Sequence, residues 1–85
     1  MVNNVIDTHK NTWSIQLVET TRSVLENIPA TPDGKLHFKH NTKGYAYINL
    51  INILNQDLRL INKITTDVYI FSDIDELIRL GWVID

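Results

Sequence analysis

Apolar residues between positions 11 and 28 recur at the spacing of a helix. Separations of three, four and seven positions place six of them on one helical face, namely Trp13, Leu17, Val18, Val24, Leu25 and Ile28. Asn11 or Thr12 can cap the first turn, because both side chains accept hydrogen bonds from backbone N–H groups. Pro29 and Pro32 follow, and proline disfavours helix in the residue before it. We therefore predict a first amphipathic helix over 11–28.

The next segment, Lys35 to His40, alternates strictly between apolar and polar residues. One side of a strand would carry Leu36 and Phe38, with His40 expected beside them. The other side would carry Lys35, His37 and Lys39. This period of two predicts a half-buried strand that follows a turn at 32–34.

The stretch from Tyr45 to Ile64 has two interpretations. Some of its apolar residues would fit a strand: Tyr45, Tyr47, Ile51 and Ile53. Its polar residues recur every three or four positions and favour a helix: Asn49, Asn52, Gln56, Arg59 and Lys63. On the polar pattern we predict one long helix from Lys43 to Asn62, capped by Asn41 or Thr42.

The last nineteen residues predict strand, helix and strand in succession. An apolar run at 68–71 leads to Ser72, the expected helix cap, and an acidic first turn follows. Gly81 is expected to end this helix, and Trp82 to Asp85 to form the last strand.

These elements give the order helix-strand-helix-strand-helix-strand. We predict an α+β or small α/β fold in a single compact domain spanning 1–85, with a three-stranded sheet packed by helices. Helices between strands favour parallel neighbours with right-handed crossovers. Antiparallel pairing of one strand stays open, because the last helix is short for a crossover.

Composition narrows the functional classes. The chain has 85 residues, 44% of them hydrophobic, a formal net charge of -2 and no cysteine. Disulfides and thiolate metal sites are therefore excluded, and the charge argues against bulk phosphate binding. No segment has the length of a membrane span, and the first ten residues lack the apolar core of a secretory signal. We expect a soluble cytoplasmic protein, and the richness in Ile, Asn and Lys suggests a bacterial or phage source.

A basic segment is the candidate contact surface for nucleic acid or a partner. It contains no acid and consists of Lys35, His37, Lys39 and Lys43, with His40, Phe38, Tyr45 and Tyr47 among them. Cations beside aromatic rings are typical of single-stranded nucleic-acid binding. We favour a second interpretation, in which the rings belong to the core and the lysines solvate and guard an edge strand. His37 and His40 are not predicted to share a metal, because a strand directs them to opposite faces.

The segment 68–75 offers a different chemistry. An apolar strand followed by Asp73 and Asp75 resembles the nucleophile strand of the haloacid dehalogenase-like phosphotransferases. That resemblance implies magnesium between the two carboxylates and phosphoryl transfer. The simpler interpretation is that Asp73, Asp75 and Glu76 complement the positive end of a helix dipole.

The sequence thus favours a small non-enzymatic interaction or regulatory module, an adaptor, inhibitor or regulator that recognises a protein by its surface. We predict no catalytic, cofactor or metal site. The expected partner is a protein, and a homodimer is expected because the helix from Lys43 to Asn62 has more apolar surface than a small sheet can cover. A nucleic-acid-binding regulator is the alternative, and an acid-dependent phosphoryl or metal enzyme is the second alternative.

Overall fold

A computed structural model describes residues 13–85 of the chain. In chain order the elements are α1 (Ile15–Glu26), β1 (Lys35–His40), β2 (Gly44–Asn49), α2 (Leu50–Leu54), β3 (Leu58–Asn62), β4 (Val68–Phe71), α3 (Ile74–Arg79) and β5 (Val83–Ile84). The strands form one five-stranded sheet in the spatial order β4-β3-β2-β1-β5. The α+β class is therefore confirmed, while the predicted three-stranded sheet and element order are wrong.

All neighbouring strands pair antiparallel. The predicted parallel pairing is wrong because β1 to β4 follow one another as a meander, joined by turns and by the short helix α2, so no crossover returns the chain to a parallel neighbour. The long chain excursion comes last: α3 carries the chain from β4, at one end of the sheet, to β5 at the other. The two edge strands are therefore consecutive in sequence but lie on opposite sides of the molecule.

The first helix is shorter than predicted. It spans Ile15–Glu26, and Ser14 is its N-cap, with the side chain accepting a hydrogen bond from the N–H of Leu17. Asn11 and Thr12, the predicted caps, lie outside the described residues. The strand predicted at 35–40 is confirmed, and its side chains alternate between half-buried and buried as the pattern required.

The long helix predicted from Lys43 to Asn62 is wrong. Strand β2, the short helix α2 and strand β3 occupy this segment. Ala46 and Ile48 are fully buried from alternate positions of β2, so a period of two governs the packing there. Gly44 and Gln56 have φ values of +85° and +60°, which no α-helix contains. The regular spacing of the polar residues was a coincidence of one strand, one helical turn and a second strand.

Asn62 shows why a polar residue interrupts this apolar segment. Its side chain is buried, donates to the carbonyl of Lys43, and accepts from the N–H groups of Ile64 and Thr65. One amide thus ties the start of β2 to the turn between β3 and β4. Such a fully bonded buried amide specifies the turn without leaving an unpaired polar group.

Helix α3 begins and ends with local hydrogen bonds. The N-cap is Asp73 rather than the predicted Ser72: the Asp73 carboxylate accepts from the N–H of Glu76, whose own carboxylate accepts from the N–H and hydroxyl of Ser72. Gly81 ends the helix as predicted, with φ at +100°. The N–H groups of Gly81 and Trp82 bond back to the carbonyls of Ile78 and Leu77, which is the Schellman arrangement.

The helices share one face of the sheet. Leu25, Ile53 and Leu77, one from each helix, belong to the same buried cluster as the inward side chains of the strands. The opposite side, which we call the helix-free face, carries no helix in the described part of the chain. Among residues 13–85, no helix is both long and apolar enough to cross a membrane.

Candidate functional site

The structure brings together three of the four predicted contact residues. Lys35, His37 and Lys39 project from β1 onto the helix-free face, opposite Asn49, Tyr47 and Tyr45 of β2. Lys43 lies in the turn that follows β1, and its ammonium is 6.0 Å from the centre of the Tyr69 ring on the helix-covered side. The predicted set of four is therefore split between two sides of the sheet. Moreover, β1 is an internal strand, so its lysines do not guard an edge.

The basic side chains of the helix-free face have partners within the chain. The ammonium of Lys35 is 5.2 Å from the centre of the Tyr47 ring, and that of Lys39 is 5.4 Å from the centre of the Trp13 ring. His37 Nε2 is 2.7 Å from a carboxylate oxygen of Asp33, and this contact lowers the pKa of Asp33. The Asp33 carboxylate places a negative charge beside His37, whereas Lys35 and Lys39 keep their full charge over the rings.

The helix-free face changes character along the sheet. One row of paired residues runs from His37 through Tyr47 and Ile61 to Val68. The β1 side of the face is therefore basic and aromatic, whereas the β4 side is aliphatic. Ile70 continues the aliphatic part and is paired with Arg59.

The two aspartates of the phosphotransferase-like segment have structural contacts. Asp73 caps α3, and the Asp75 carboxylate lies 2.6 Å from the guanidinium of Arg22 on α1. They line an open groove of about 410 Å³ between α1, α2 and the start of α3, whose floor includes Ile53 and Leu58. Among residues 13–85, no group of three or more histidine or carboxylate side chains is arranged to hold a metal ion.

Strand β5 forms one edge of the sheet, and side chains from elsewhere satisfy the backbone around it. The Thr21 hydroxyl of α1 accepts from the N–H of Ile84 at 2.9 Å, and the Trp13 indole donates to the carbonyl of Gly81 at 2.9 Å. His40 bonds the carbonyl of Leu80 at 2.9 Å. We call β5 with these contacts the covered edge.

His40 is held in one protonation state by these contacts. Its Nδ1 accepts from the N–H groups of Thr42 and Lys43, so Nε2 carries the proton and donates to Leu80. Burial lowers the pKa of His40, an effect that the bond to Leu80 partly opposes and the nearby Lys43 ammonium reinforces. His40 lies on the buried side of β1, as the alternation of 35–40 predicts, but its role at the covered edge depends on its contact with Leu80.

Among residues 13–85, no side chain covers the other edge of the sheet, β4, in this way. The N–H of Asn62 bonds the carbonyl of Asp67, which makes this facing pair a hydrogen-bonded one. Antiparallel pairs alternate in type, so Tyr69 and Phe71 direct their backbone groups toward β3. Val68 and Ile70 then direct their N–H and C=O groups outward. Within the described residues, no side chain or backbone group bonds them, and we call this side of β4 the open edge.

Strand β4 also lacks, within the described part of the chain, the features that usually prevent strand pairing. Strand β4 contains Val68, Tyr69, Ile70 and Phe71, with no charge and no proline. Ile70 is 65% exposed and Val68 is 50% exposed. Edge strands are normally protected by lysine, proline, bulges or a covering element. An uncharged, apolar strand whose outer edge is unpaired among residues 13–85 can therefore accept another strand.

Sequence reasoning missed the open edge although it identified β4 as a strand. The signal that was missed is the absence of alternation in 68–71, where all four residues are apolar. Such a run is typical of a strand that is covered on both faces, so apolar side chains left exposed there indicate a surface that a partner can cover. The turn-forming residues 62–67, placed between two apolar runs, could have revealed the hairpin of β3 and β4. The edge position itself follows from the strand order, which no local pattern contains.

Neither a protein-family model, nor a curated protein, nor a solved structure matches this chain.

Proposed function

We propose that this protein is a non-enzymatic recognition module, which binds an extended protein segment by adding it as a strand to the open edge. The observation that carries the proposal is the outward direction of the backbone groups of Val68 and Ile70, on a strand with no charge. Main-chain hydrogen bonds would give affinity, and side chains at alternate positions would give specificity. The protein would thus bind its partner through an exposed strand and without catalysis, as an adaptor, inhibitor or regulator does.

The surroundings of the open edge favour an apolar partner segment. Every second side chain of an added strand would lie on the helix-free face beside Val68 and Ile70, whose exposed fractions are 50% and 65%. Covering such side chains contributes about 25 cal/mol per Å² of apolar surface. Arg59 is the nearest cation of this face, paired with Ile70 across the strands and 3.4 Å from a carboxylate oxygen of Asp57.

Capture with matched variants tests this proposal. Tagged full-length protein, Ile70→Lys and Ile51→Lys would each be incubated with an extract of the source organism, and bound proteins identified by mass spectrometry. Ile51 is the control because it is 63% exposed and lies on α2, away from the edge. We expect Ile70→Lys to reduce bound partner at least tenfold and Ile51→Lys to leave it unchanged. Equal capture by all three, or binding of no protein including the chain itself, would contradict the proposal.

A nucleic-acid-binding regulator is the second candidate, because Lys35 and Lys39 share the helix-free face with Tyr45 and Tyr47. Such a face could stack bases on rings and contact phosphates with lysines. Its charge is small, and two lysines would release only about two counterions, so binding would be weak and would fall only gradually as salt is raised.

Fluorescence anisotropy with a labelled single-stranded oligonucleotide separates the two candidates. The double variant Lys35→Gln/Lys39→Gln tests the helix-free face, and Lys43→Gln is the control because Lys43 lies on the other side. Submicromolar binding at moderate salt that is lost only in the double variant would support the nucleic-acid function and contradict protein recognition as the main one.

A further inference from the structure

We infer that the partner which the open edge fits is a second copy of this chain, paired antiparallel through β4 about a two-fold axis at Tyr69. This inference rests on the proposed function, because the second copy occupies the same edge. The predicted homodimer thus moves to a new element: the helix from Lys43 to Asn62, on which sequence reasoning placed it, does not exist. The resulting sheet would be continuous across both copies.

The direction of the backbone groups selects the register. On β4, only Val68 and Ile70 direct their N–H and C=O groups outward. In a pair of β4 strands, these two residues of one copy must therefore bond the same two residues of the other copy. With Tyr69 opposite Tyr69, each Val68 faces the Ile70 of the other copy, and these two pairs each exchange two backbone hydrogen bonds. Four bonds form in total. A register centred on Ile70 would form fewer, because it would require the N–H of Ser72, which already bonds the Glu76 carboxylate.

The side chains agree with this register. Residues directly opposite in an antiparallel pair share a face, so Val68 would contact Ile70 of the other copy on the helix-free face. No charged residue lies within β4. Asp67, just before the strand, would oppose Phe71, so the two-fold axis places no like charges directly opposite each other. An uncharged edge with a two-fold arrangement of valine and isoleucine is complementary to itself, and isologous pairing of this kind closes after two copies.

The expected affinity is modest. A pair of four-residue strands lies at or below the low end of a standard interface, which buries about 1,200–2,000 Å². We therefore expect a dissociation constant in the range of about 1–100 µM.

Cysteine cross-linking tests the register directly, because the natural chain has no cysteine. In the proposed dimer the Tyr69 positions form a non-hydrogen-bonded pair with Cα atoms about 4.5 Å apart, within the range of about 4.4–6.8 Å for disulfides. We expect Tyr69→Cys to give a disulfide-linked dimer under mild oxidation. Asp67→Cys is the control, since its two copies would lie on opposite sides of the axis. Preferential cross-linking of Ile70→Cys would overturn the register.

Light scattering and sedimentation on the cysteine-free chain provide a test that does not depend on the folding of Tyr69→Cys. We expect the wild-type mass to rise toward that of a dimer by about 100 µM. Ile70→Lys should weaken association at least tenfold, and Ile51→Lys should leave it unchanged. A monomeric wild-type mass at this concentration would overturn the second-copy inference. The proposed function would then survive only if the capture experiment found another protein whose binding depends on Ile70.

Discussion

The two edges of the sheet differ in what satisfies their backbone. At the covered edge, side chains of Trp13, Thr21 and His40 bond backbone groups of the segment 80–84. At the open edge, only the residues flanking β4 have such partners: Asp67 donates to the Thr65 hydroxyl, and Ser72 donates to Glu76. The outward groups of Val68 and Ile70 between them have no bonding partner among residues 13–85.

We infer from this difference that the covered edge contributes to the stability of the fold and the open edge to association. Side chains from distant parts of the chain are used to close one edge, so substitutions there should change the free energy of unfolding. At the open edge the outward groups contribute little to the monomer, and changes there should affect association instead. Substitutions at the two edges, and in the helix that joins them, test this separation.

Among substitutions that remove a hydrogen bond at the covered edge, replacement of His40 should have the largest effect. We expect His40→Leu to lower the free energy of unfolding by about 2–4 kcal/mol at pH 7, because it leaves backbone groups of Thr42, Lys43 and Leu80 without their partner. Urea unfolding measures this loss. His37→Gln is the matched control on the exposed side of the same strand and should cost less than about 1 kcal/mol.

The same residue predicts the pH dependence. Since the pKa of folded His40 lies below the ordinary value of 6.5, the unfolded chain takes up the proton first as pH falls. Its contribution to stability is therefore complete above pH 6.5 and is lost as pH falls through the lowered folded pKa. Unfolding measured between pH 8 and pH 5 should show the gap between wild type and His40→Leu narrowing on acidification. A constant gap would show that the imidazole is not held neutral.

Removal of the Thr21 hydroxyl should have the next largest effect on the free energy of unfolding. Thr21→Val keeps the shape of the side chain but leaves the N–H of Ile84 without an acceptor, which should cost about 1–3 kcal/mol. Thr20→Val, at an exposed position of the same helix, controls for the change in helix propensity. Equal costs in thermal or urea unfolding would mean that α1 does not close the edge through this bond.

Helix α3, which connects the two edges, should show an intermediate effect. Asp73→Ala removes the N-cap and should lower the free energy of unfolding by about 1 kcal/mol, whereas Asp73→Asn should retain most of it. The comparison is made by urea unfolding. If magnesium-dependent phosphatase turnover appeared in the wild type and were lost in Asp73→Asn, the enzyme alternative would replace the recognition function.

The open edge should show the smallest effect on the monomer. We expect Ile70→Lys to change the free energy of unfolding by less than about 0.5 kcal/mol at protein concentrations well below those that allow association. Val83→Lys, at the covered edge, is the contrast: Val83 is fully buried, and a lysine there should destabilise the fold by several kcal/mol. Similar losses in both variants would remove the distinction between the edges.

Local patterns in the sequence determined a useful part of this fold. Alternation in 35–40 predicted β1 and the inward side of His40, because each side chain of a strand is assigned to a face by its position alone. Gly81 predicted the end of α3, since its positive φ is a property of a single residue. The prediction of a helix over 43–62 failed because both the helical and the strand period matched its residues. Burial of Ala46 and Ile48 at alternate positions decided in favour of a strand.

Local sequence patterns predicted only part of the candidate site. Alternation alone predicts that Lys35, His37 and Lys39 share one face of a strand, and the apolar run at 68–71 predicts another strand. The pairing of distant strands makes β1 internal, places Lys43 on the other side and leaves β4 and β5 as the two edges. Strand order depends on which distant segments pair, and a residue carries no local mark of whether its outward backbone groups will meet a neighbour, a helix or solvent.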